Sequence, residues 1–266
     1  MLLNIVSNIK NSIQQLSHKL TQNLLCIITS ILAIKKLKNK ICIKMRGNLG
    51  NQMFIYATAK NLKKYFPHKK HLYDISQCNY CLDKFGINLK TSKVYYEKYL
   101  LGKYKTAEKE FGIYDKTLFS KPPIFFKGYF QCEKYFKEYR TELVQEFKFP
   151  LPQHGEYREY LEKITNSNSV LVHFRVRQDY INLGWALNFN YQIKAINYML
   201  ENIENPEFFV FADDIDFVKK YFKCDYKLNF VDIGKKNPDK VFLDLELMKN
   251  CKHAIIPNST FSWWAA

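Results

Sequence analysis

The chain has 266 residues, enough for one large domain or two small ones, and its 47% hydrophobic content excludes an intrinsically disordered protein. It carries 41 basic and 25 acidic residues, and the formal net charge of +16 favours an anionic partner: a nucleotide, a nucleic acid or an acidic membrane surface. Biased codon usage is an equally good explanation of the many lysines.

The first forty residues contain six lysines and no acidic residue. Apolar residues recur there every three or four positions, which predicts a helix: Ile9, Ile13, Leu16, Leu20, Leu24, Ile27, Ile31 and Ile34. The apolar run 24–34 is shorter than the roughly 20 residues needed to span a bilayer, and it lacks the pattern of a signal peptide. We predict that residues 1–40 form a basic amphipathic helix lying on an anionic membrane. A helix packed on the globular body and a self-association helix are the alternatives.

A strand, a tight glycine turn and a helix follow in residues 41–45, 47–50 and 51–66, which is how a Rossmann-like unit opens. The G-x-x-G of the turn is too short to be a dinucleotide fingerprint. Further along we predict strands at 71–75 and 124–130 and a helix at 133–147, whereas the elements of 84–123 cannot be resolved. A proline-rich stretch at 150–152 and a polar stretch at 166–169 bracket a predicted interdomain linker, with domains at 41–150 and 151–266.

Strands and helices alternate regularly in the last hundred residues. We predict strands at 170–173, 208–211, 228–231 and 253–256, and helices at 191–203, 215–222 and 241–250. This alternation is typical of a parallel sheet covered by helices on both faces, with ligands bound beyond the carboxyl ends of the strands. Two such halves predict two Rossmann-like domains with a cleft between them.

The first strand of this half ends in His173-Phe-Arg-Val-Arg-Gln-Asp179. If the chain stays extended, His173, Arg175, Arg177 and Asp179 share one face, because side chains alternate along a strand. Two guanidinium groups at a strand end suit a diphosphate, since the planar fork binds phosphate oxygens and stays charged. A structural Arg–Asp cluster is the alternative.

The next strand ends in Asp213 and Asp214. We expect Asp213 to contact a ribose or a base edge of a nucleotide, and the acidic pair is also suited to a metal ion. Asp214 is alternatively a simple N-cap of the following helix.

The last strand leads into Asn258-Ser-Thr-Phe-Ser-Trp-Trp264. We predict that Asn258 caps a helix whose N-terminus, with Ser259, Thr260 and Ser262, binds phosphate oxygens. Core packing is expected for Trp263 and Trp264. Sharply placed arginines beside diffuse lysines favour a nucleotide diphosphate over a nucleic acid, which requires a basic stripe with interleaved aromatic residues.

Seven cysteines are scattered along the chain, and Cys78 and Cys81 form a lone C-x-x-C pair. A zinc site needs a second pair, so this spacing favours reduced cysteines in a cytosolic protein.

Taken together, five blocks resemble the bacterial α-1,2-fucosyltransferases of glycosyltransferase family 11. They are Gly47–Ala57 with its G-N-L-G-N-Q-M-F start, Gly128–Phe136 with G-Y-F-Q, His173–Asp179, and the pair of C-terminal blocks at 211–214 and 258–264. The resemblance covers all but the first forty residues. Val176 separates two arginines that are adjacent in the family, and Asp179 falls one residue late. The family also continues beyond the tryptophan pair, so a C-terminal domain with a missing end is expected.

The resemblance implies a GT-B-like fold of two Rossmann-like domains, with an N-terminal acceptor domain and a C-terminal domain that binds GDP-fucose. It implies an inverting, metal-independent transfer of fucose, without a cofactor, to the 2-hydroxyl of a terminal galactose on a glycan. Arg175, Asp179 and His173 are the expected catalytic residues, and Arg177, Asp213 and the terminal block are expected to bind the donor. Asn51 and Gln52 are expected to face the cleft and orient fucose or the acceptor.

The expected location is the cytoplasm, peripheral to the inner membrane, and no nucleic-acid partner is expected. Two other functions fit the same residues: a fucosyltransferase with another linkage or acceptor, and a non-catalytic nucleotide- or glycan-binding relative.

Overall fold

The structure is a computed structural model that describes residues 17, 18, 20–25, 27, 28, 31, 32, 35, 37–91, 105–233, 237 and 239–266. The chain divides into two compact units. The first comprises 1–48, 52–81 and 88–140, and the second comprises 49–51, 82–87 and 141–266. The sequence predicted a second domain that begins at residue 151. The main segment of the second unit begins ten residues earlier, at Thr141.

The first unit contains a four-stranded parallel sheet with the order β2-β1-β4-β3. Its strands are β1 (Lys40–Lys44), β2 (Lys70–Asp74), β3 (Lys105–Ala107) and β4 (Phe125–Lys127). In β1 the middle residues Ile41, Cys42 and Ile43 are all buried, as expected for a strand covered on both faces. Because all four strands are parallel, their carboxyl ends lie at one edge.

Helix α1 (Leu49–Tyr65) follows the turn at Gly47, which has a positive φ of 70° that glycine adopts without strain. Phe54, Ala57 and Leu62 are buried along it, as predicted. Its last turn carries Lys63 and Lys64, which complement the negative end of the helix dipole.

The second unit contains a second four-stranded parallel sheet with the order β7-β6-β5-β8. Its strands are β5 (Asn168–Phe174), β6 (Pro206–Ala212), β7 (Leu228–Phe230) and β8 (His253–Ile255). From residue 140 onward the helices are α2 (Arg140–Glu146), α3 (Glu156–Thr165), α4 (Gln178–Asn182), α5 (Phe189–Asn202), α6 (Ile215–Tyr221), α7 (Lys240–Lys249) and α8 (Thr260–Ala265).

Alternate residues of the central strands of this sheet enter two separate cores. Val170 and Val172 pack in one cluster with Val210, whereas Leu171 packs in the other with Phe209. This division follows from the two-residue period of a strand, and it requires apolar residues at every position. The prediction of a parallel sheet buried on both faces is confirmed.

The predicted strands and most predicted helices are present within a few residues of their expected bounds. The helix predicted at 133–147 is wrong in its first half, where the chain makes two short 3₁₀ turns, Glu133–Tyr135 and Lys137–Tyr139, before α2. The segment 150–169, predicted to be bracketed as a linker, contains α3 and the start of β5. Helices α3 and α4 were not predicted. The sequence alone did not predict the elements of 84–123. The structure shows β3 and the 3₁₀ turn Lys116–Phe119 in this stretch, and residues 92–104 lie outside the described residues.

The residues that the structure describes between 17 and 32 are helical, and their large apolar side chains face solvent. Leu20, Leu24, Leu25, Ile27, Ile28, Ile31 and Leu32 are 47–67% exposed. About half or more of each of these side chains is therefore open to solvent. No helix among the described residues is long and apolar enough to cross a bilayer. Residues 1–16 lie outside the described residues.

Six cysteines are described, and all of them have free thiols: Cys42, Cys78, Cys81, Cys132, Cys224 and Cys251.

Candidate active site

The strongest concentration of charged side chains in the second unit lies at the carboxyl edge of its sheet. Arg175, the residue directly after β5, is hydrogen-bonded to Asp213, the residue directly after β6. Asp179 accepts a second, longer hydrogen bond of 3.5 Å from the same guanidinium. The ring centroid of Tyr180 lies 4.7 Å from the guanidinium carbon. We call these four residues the arginine site.

Asp213 also fixes the backbone beside Arg175. It accepts hydrogen bonds from the Val176 N–H at 2.8 Å and the Arg177 N–H at 3.3 Å. One carboxylate therefore orients both the loop and the guanidinium, and only 17% of its side chain is exposed. The contact of Asp213 with a ribose or a base edge stays a prediction.

Asp214, its neighbour, accepts a hydrogen bond from the Phe217 N–H at 3.0 Å and so caps α6. Its interpretation as an N-cap is confirmed. Among the residues that the structure describes, no cluster of three or more His, Cys, Asp or Glu is arranged to hold a metal ion.

The expectation that His173, Arg175, Arg177 and Asp179 share one face is wrong. The strand ends at Phe174, and Asp179 lies in α4. The chain turns because Asp213 draws the 176–177 backbone toward itself. Arg177 keeps a 3.6 Å ion pair with Asp179 at the surface.

His173 is buried, and its ring lies 5.9 Å from that of Phe261. Burial, together with the positive charge of Arg175, lowers the pKa of His173 to about 3. Its Nδ1 atom has no hydrogen-bond partner in the described structure. A neutral, buried ring with this pKa is poorly suited to act as a general base. Asp179, whose side chain is 56% exposed, is the better placed of the two candidates.

The terminal block is tied to the segment that follows Arg175. The Tyr180 hydroxyl donates to the Asn258 carbonyl at 2.9 Å, and the Asn258 amide donates to the Trp185 carbonyl at 3.1 Å. The Tyr191 hydroxyl donates to the Ile256 carbonyl at 2.7 Å. We call residues 178–191 the strap. The strap and the end of β8 thus form one connected wall beside the arginine site.

The prediction that Asn258 caps the last helix is wrong. The N-cap of α8 is Ser259, and its side chain makes no capping hydrogen bond. The Asn258 amide instead donates to the strap. Ser259 and Thr260 are half-buried at the helix start, and their contact with phosphate stays a prediction.

Two further expectations for α8 need correction. Ser262 is fully buried and its hydroxyl donates to the Ser259 carbonyl at 3.3 Å, so it does not face a ligand. Trp263 is 37% exposed rather than part of the core. Trp264 is half-buried, packs edge-on against Phe147 with centroids 5.3 Å apart, and donates to the Gly50 carbonyl at 3.1 Å.

Gly50 is a site of close backbone approach within the second unit. A Cβ atom on Gly50 would lie 2.6 Å from the carbonyl carbon of Thr260 and 2.7 Å from the Phe261 nitrogen. Only glycine therefore lets the start of α1 lie against the start of α8. This contact gives a physical reason for the second glycine of the G-N-L-G turn.

Gln52 does not face solvent, which corrects its expected role in orienting a ligand. It is fully buried, and its amide donates to the carbonyls of Gly47 at 2.9 Å and Asn79 at 2.8 Å. Its oxygen accepts from the Cys81 N–H at 3.1 Å. Gln52 thus supports the loop around 79–81, whereas Asn51 is half-buried and its role stays a prediction.

The sequence reasoning missed Tyr180, Trp185 and Tyr191, which hold the strap in place. An aromatic residue every few positions in 180–191 was the available signal. The resulting arrangement presents a guanidinium with restricted motion at the carboxyl edge of a parallel sheet, where α/β proteins bind nucleotides and other ligands.

Comparison with known proteins defines the class. Residues 18–266 match the model of the family described as Glycosyl transferase family 11. An Escherichia coli alpha-1,2-colitosyltransferase is 31% identical over 257 residues, which cover 85% of this chain and 86% of that protein. The E. coli O-antigen biosynthesis glycosyltransferase WbnK is 24% identical over 270 residues, covering 84% of this chain and 88% of its own length.

Among solved structures, the fucosyltransferase NodZ from Bradyrhizobium is similar over 85% of this chain and 91% of its own, with a TM-score of 0.45 and 13% identity. The family match and the first relative establish what kind of protein this is. The chain belongs to glycosyl transferase family 11 and is a glycosyltransferase.

Proposed function

We propose that this glycosyltransferase transfers L-fucose, or a closely related sugar, from a GDP-linked donor to the 2-hydroxyl of a terminal galactose on a surface glycan. The observation that carries the proposal is the guanidinium of Arg175, held at the carboxyl edge of a parallel sheet by Asp213 and Asp179. A planar, permanently charged fork in this position is suited to a diphosphate.

In the proposed reaction the bond between the sugar and the GDP breaks as the acceptor hydroxyl attacks. Negative charge then develops on the leaving diphosphate, and Arg175 stabilises it. The exposed Asp179 pairs with Arg175 only weakly, so the diphosphate displaces it while Asp213 stays in place. Arg177 and the α8 start at Ser259 and Thr260 supply further donors.

A single displacement inverts the configuration of the sugar, and it needs a base that takes the proton of the acceptor hydroxyl. We propose Asp179 for this role, because His173 is buried and has a pKa of about 3. Once the diphosphate occupies the guanidinium, the Asp179 carboxylate is free to accept that proton. No metal ion takes part in this scheme.

The nature of the sugar rests on similarity. A 31% identical relative is an alpha-1,2-colitosyltransferase, which supports the α-1,2 linkage and makes colitose the natural rival of fucose as the transferred sugar. A relative in O-antigen biosynthesis supports a surface glycan as the acceptor.

The test is to incubate the full-length protein with GDP-fucose or GDP-colitose and a panel of β-galactosides, with and without EDTA, and to determine the product linkage by NMR. We expect one of the two donors to give an α-1,2-linked product that EDTA does not suppress. Arg175→Ala should lower kcat by on the order of 10²–10³. Arg158→Ala is the matched control, because it removes an arginine of α3 whose Nε donates to the Gln153 carbonyl.

Undiminished turnover by Arg175→Ala would contradict the assignment of the site. Binding of GDP without transfer from either donor would instead identify a non-catalytic relative, and another linkage in the product would identify a different transferase.

We also propose that the N-terminal helix docks on an anionic membrane. Its apolar side chains between Leu20 and Leu32 are exposed, and the forty residues around them carry six lysines and no acidic residue. Such a helix lies in the headgroup region of a bilayer, with its apolar face inserted and its lysines near anionic lipids.

Flotation with phosphatidylcholine vesicles, with or without phosphatidylglycerol, tests this docking. We expect binding only to the anionic vesicles. Leu24→Asp should weaken it severalfold, whereas Asn23→Asp, which adds the same charge at a position that is already polar, should weaken it less. Equal binding of both variants would contradict the proposal, and concentration-dependent dimerisation abolished by Leu24→Asp would favour the self-association helix instead.

A further inference from the structure

The first unit has a depression of about 340 Å³ at the carboxyl edge of its own sheet. Residues that follow three of the parallel strands surround it: Arg46 after β1, Glu108 after β3 and Tyr129 after β4. Phe111, from the loop beyond β3, forms another wall. All of these residues belong to the first unit, so the depression is complete within it.

Hydrogen bonds and ring stacking fix the backbone around Tyr129. The Glu108 carboxylate accepts hydrogen bonds from the Tyr129 N–H at 2.8 Å and the Phe130 N–H at 3.1 Å. Phe130 has a positive φ of 53°, a strained conformation for a non-glycine residue. Its buried ring is stacked on Phe126 with centroids 4.3 Å apart. A strained turn held by both a carboxylate and ring stacking gives Tyr129 a fixed direction.

Gly128 is required by the same turn. A Cβ atom at this position would lie 2.7 Å from the Glu108 Cβ and 2.7 Å from the Phe130 ring. The G-Y-F sequence is therefore explained by the wall of the depression, with Gly128 giving room, Tyr129 facing outward and Phe130 anchoring the turn.

Arg46 contributes an unsatisfied donor. Its guanidinium carbon lies 5.1 Å from the centroid of the Tyr129 ring. Its Nε atom is buried and has no hydrogen-bond partner within the described ranges. A buried donor without a partner is destabilising, and a ligand oxygen that accepts from it removes that cost.

Phe111 contributes apolar surface. It is 64% exposed, and its ring meets that of Tyr129 edge to face with centroids 6.1 Å apart. Two aromatic rings, the basic residues Arg46, Lys109 and Lys127, and one carboxylate thus surround an open depression. Its volume is near the lower end of the roughly 300–1,000 Å³ typical of small-molecule sites.

We propose that this depression binds a pyranose ring of the acceptor glycan, an inference that rests on the proposed function. The apolar C–H face of a pyranose packs against Phe111 and Tyr129. One ring substituent oxygen accepts a hydrogen bond from Arg46 Nε, and a hydroxyl donates to a remaining lone pair of the Glu108 carboxylate.

The two aromatic walls suit the apolar face of a neutral sugar. The Glu108 carboxylate lies in the wall and repels negative charge, and the face of Tyr129 already covers one side of the Arg46 guanidinium. Lys109 and Lys127 also line the depression, and the charge of Lys109 is paired with Asp115 at 3.0 Å.

The test measures binding of lactose and methyl β-galactoside to the full-length protein by saturation-transfer NMR, with GDP binding measured in the same samples by calorimetry. Phe111→Ala and Arg46→Met should each weaken sugar binding about tenfold or more and leave the Kd of GDP unchanged. Ile113→Ala is the matched control, because it removes an exposed apolar side chain of the same loop that does not line the depression. Phe111 is exposed, so its truncation should leave the melting temperature unchanged.

Sugar binding that is unchanged in Phe111→Ala, or absent in the wild type while GDP binds, would overturn the pyranose site and leave the proposed transferase activity intact. Loss of GDP binding in the wild type would instead contradict the proposed function. Weaker GDP binding in Phe111→Ala or Arg46→Met would show that the depression takes a nucleotide and not a sugar, which also overturns the inference.

Discussion

The carboxyl edges of the two sheets carry the same pair of residues in different surroundings. In each sheet an arginine follows an inner strand, Arg46 after β1 and Arg175 after β5, and its guanidinium lies over a tyrosine ring. Arg175 is hydrogen-bonded to two carboxylates. Arg46, by contrast, makes no ion pair within the part of the chain that the structure describes, and its Nε atom lacks a partner.

The difference lies in where the acidic residue directs its oxygens. In the second unit Asp213 binds the guanidinium as well as the backbone, so the arginine is oriented before any ligand arrives. In the first unit Glu108 binds only the backbone, and it leaves Arg46 to a ligand. A preoriented cation suits charge that develops in a transition state, whereas an unsatisfied donor suits binding of a neutral polar group.

The largest effect that we expect from this comparison is on turnover. Arg175→Lys keeps the positive charge but loses the planar fork, so kcat/KM for the GDP-sugar should fall by on the order of 10². Arg46→Lys should change the same constant less than tenfold, because we propose that its site binds the acceptor and not the donor. Steady-state kinetics with varied donor distinguishes the two, and equal losses would mean that both arginines serve one ligand.

The next effect is on stability. Asp213→Asn removes the acceptor of a charged hydrogen bond from Arg175 and weakens two backbone contacts, so the free energy of unfolding should fall by about 2–3 kcal/mol. Asp179→Asn is the control at the same guanidinium. Because Asp179 is exposed, its loss should cost less than about 1 kcal/mol. Urea denaturation measures both, and equal values would show that Asp213 does not anchor the site.

A smaller loss of stability is expected at Gly50. An alanine there meets backbone atoms of α8 at 2.6 and 2.7 Å, so overpacking should cost about 2 kcal/mol even though alanine favours a helix. Gly155→Ala is the comparison, since open space surrounds it and only the strain of its φ of 88° remains, about 1 kcal/mol. A Gly50→Ala protein as stable as the wild type would contradict the close approach of α1 and α8.

The smallest effect near neutral pH comes from His173. Its folded pKa of about 3 lies below the ordinary value of 6.5, so between these values the unfolded chain binds a proton that the folded protein does not. Stability therefore rises with pH across this window, and His173 contributes at most about 1.4 kcal/mol per pH unit. Burial raises the pKa of Asp244 to about 6. Between about pH 4 and pH 6, this shift makes the stability fall as the pH rises. Thermal melts of His173→Gln should show a flatter dependence from pH 6.5 down to 4, and an unchanged slope would contradict the burial of a neutral ring.

Much of the fold was predictable because both sheets are buried on two faces. Runs such as Val170–His173 are apolar at nearly every position, and such runs are typical of inner parallel strands. The helix predicted at 133–147 was partly wrong because Tyr135 and Phe136 are held by the core of the first unit, which overrides the helical spacing. Local propensity does not reveal such packing.

The candidate site was predictable where one short segment carries its chemistry, as at Arg175. It was not predictable where a partner lies far along the chain. Asn258 was expected to cap the helix next to it, but it is engaged by Trp185, which lies 73 positions away. The depression beside Arg46 depends on the left-handed conformation of Phe130, which is uncommon for a phenylalanine and leaves no pattern in the sequence.

The strap has a consequence for how the protein is made. Its ties to the end of β8 join residues 65, 73 and 78 positions apart. At a synthesis rate of about 5–20 residues per second, Tyr180 waits roughly 4–16 s for Asn258 to be added. During that interval the arginine site lacks one wall, although β5 is already complete and β6 is completed well before Asn258. A nascent chain in this period leaves the aromatic residues of the strap without their partners at the end of β8.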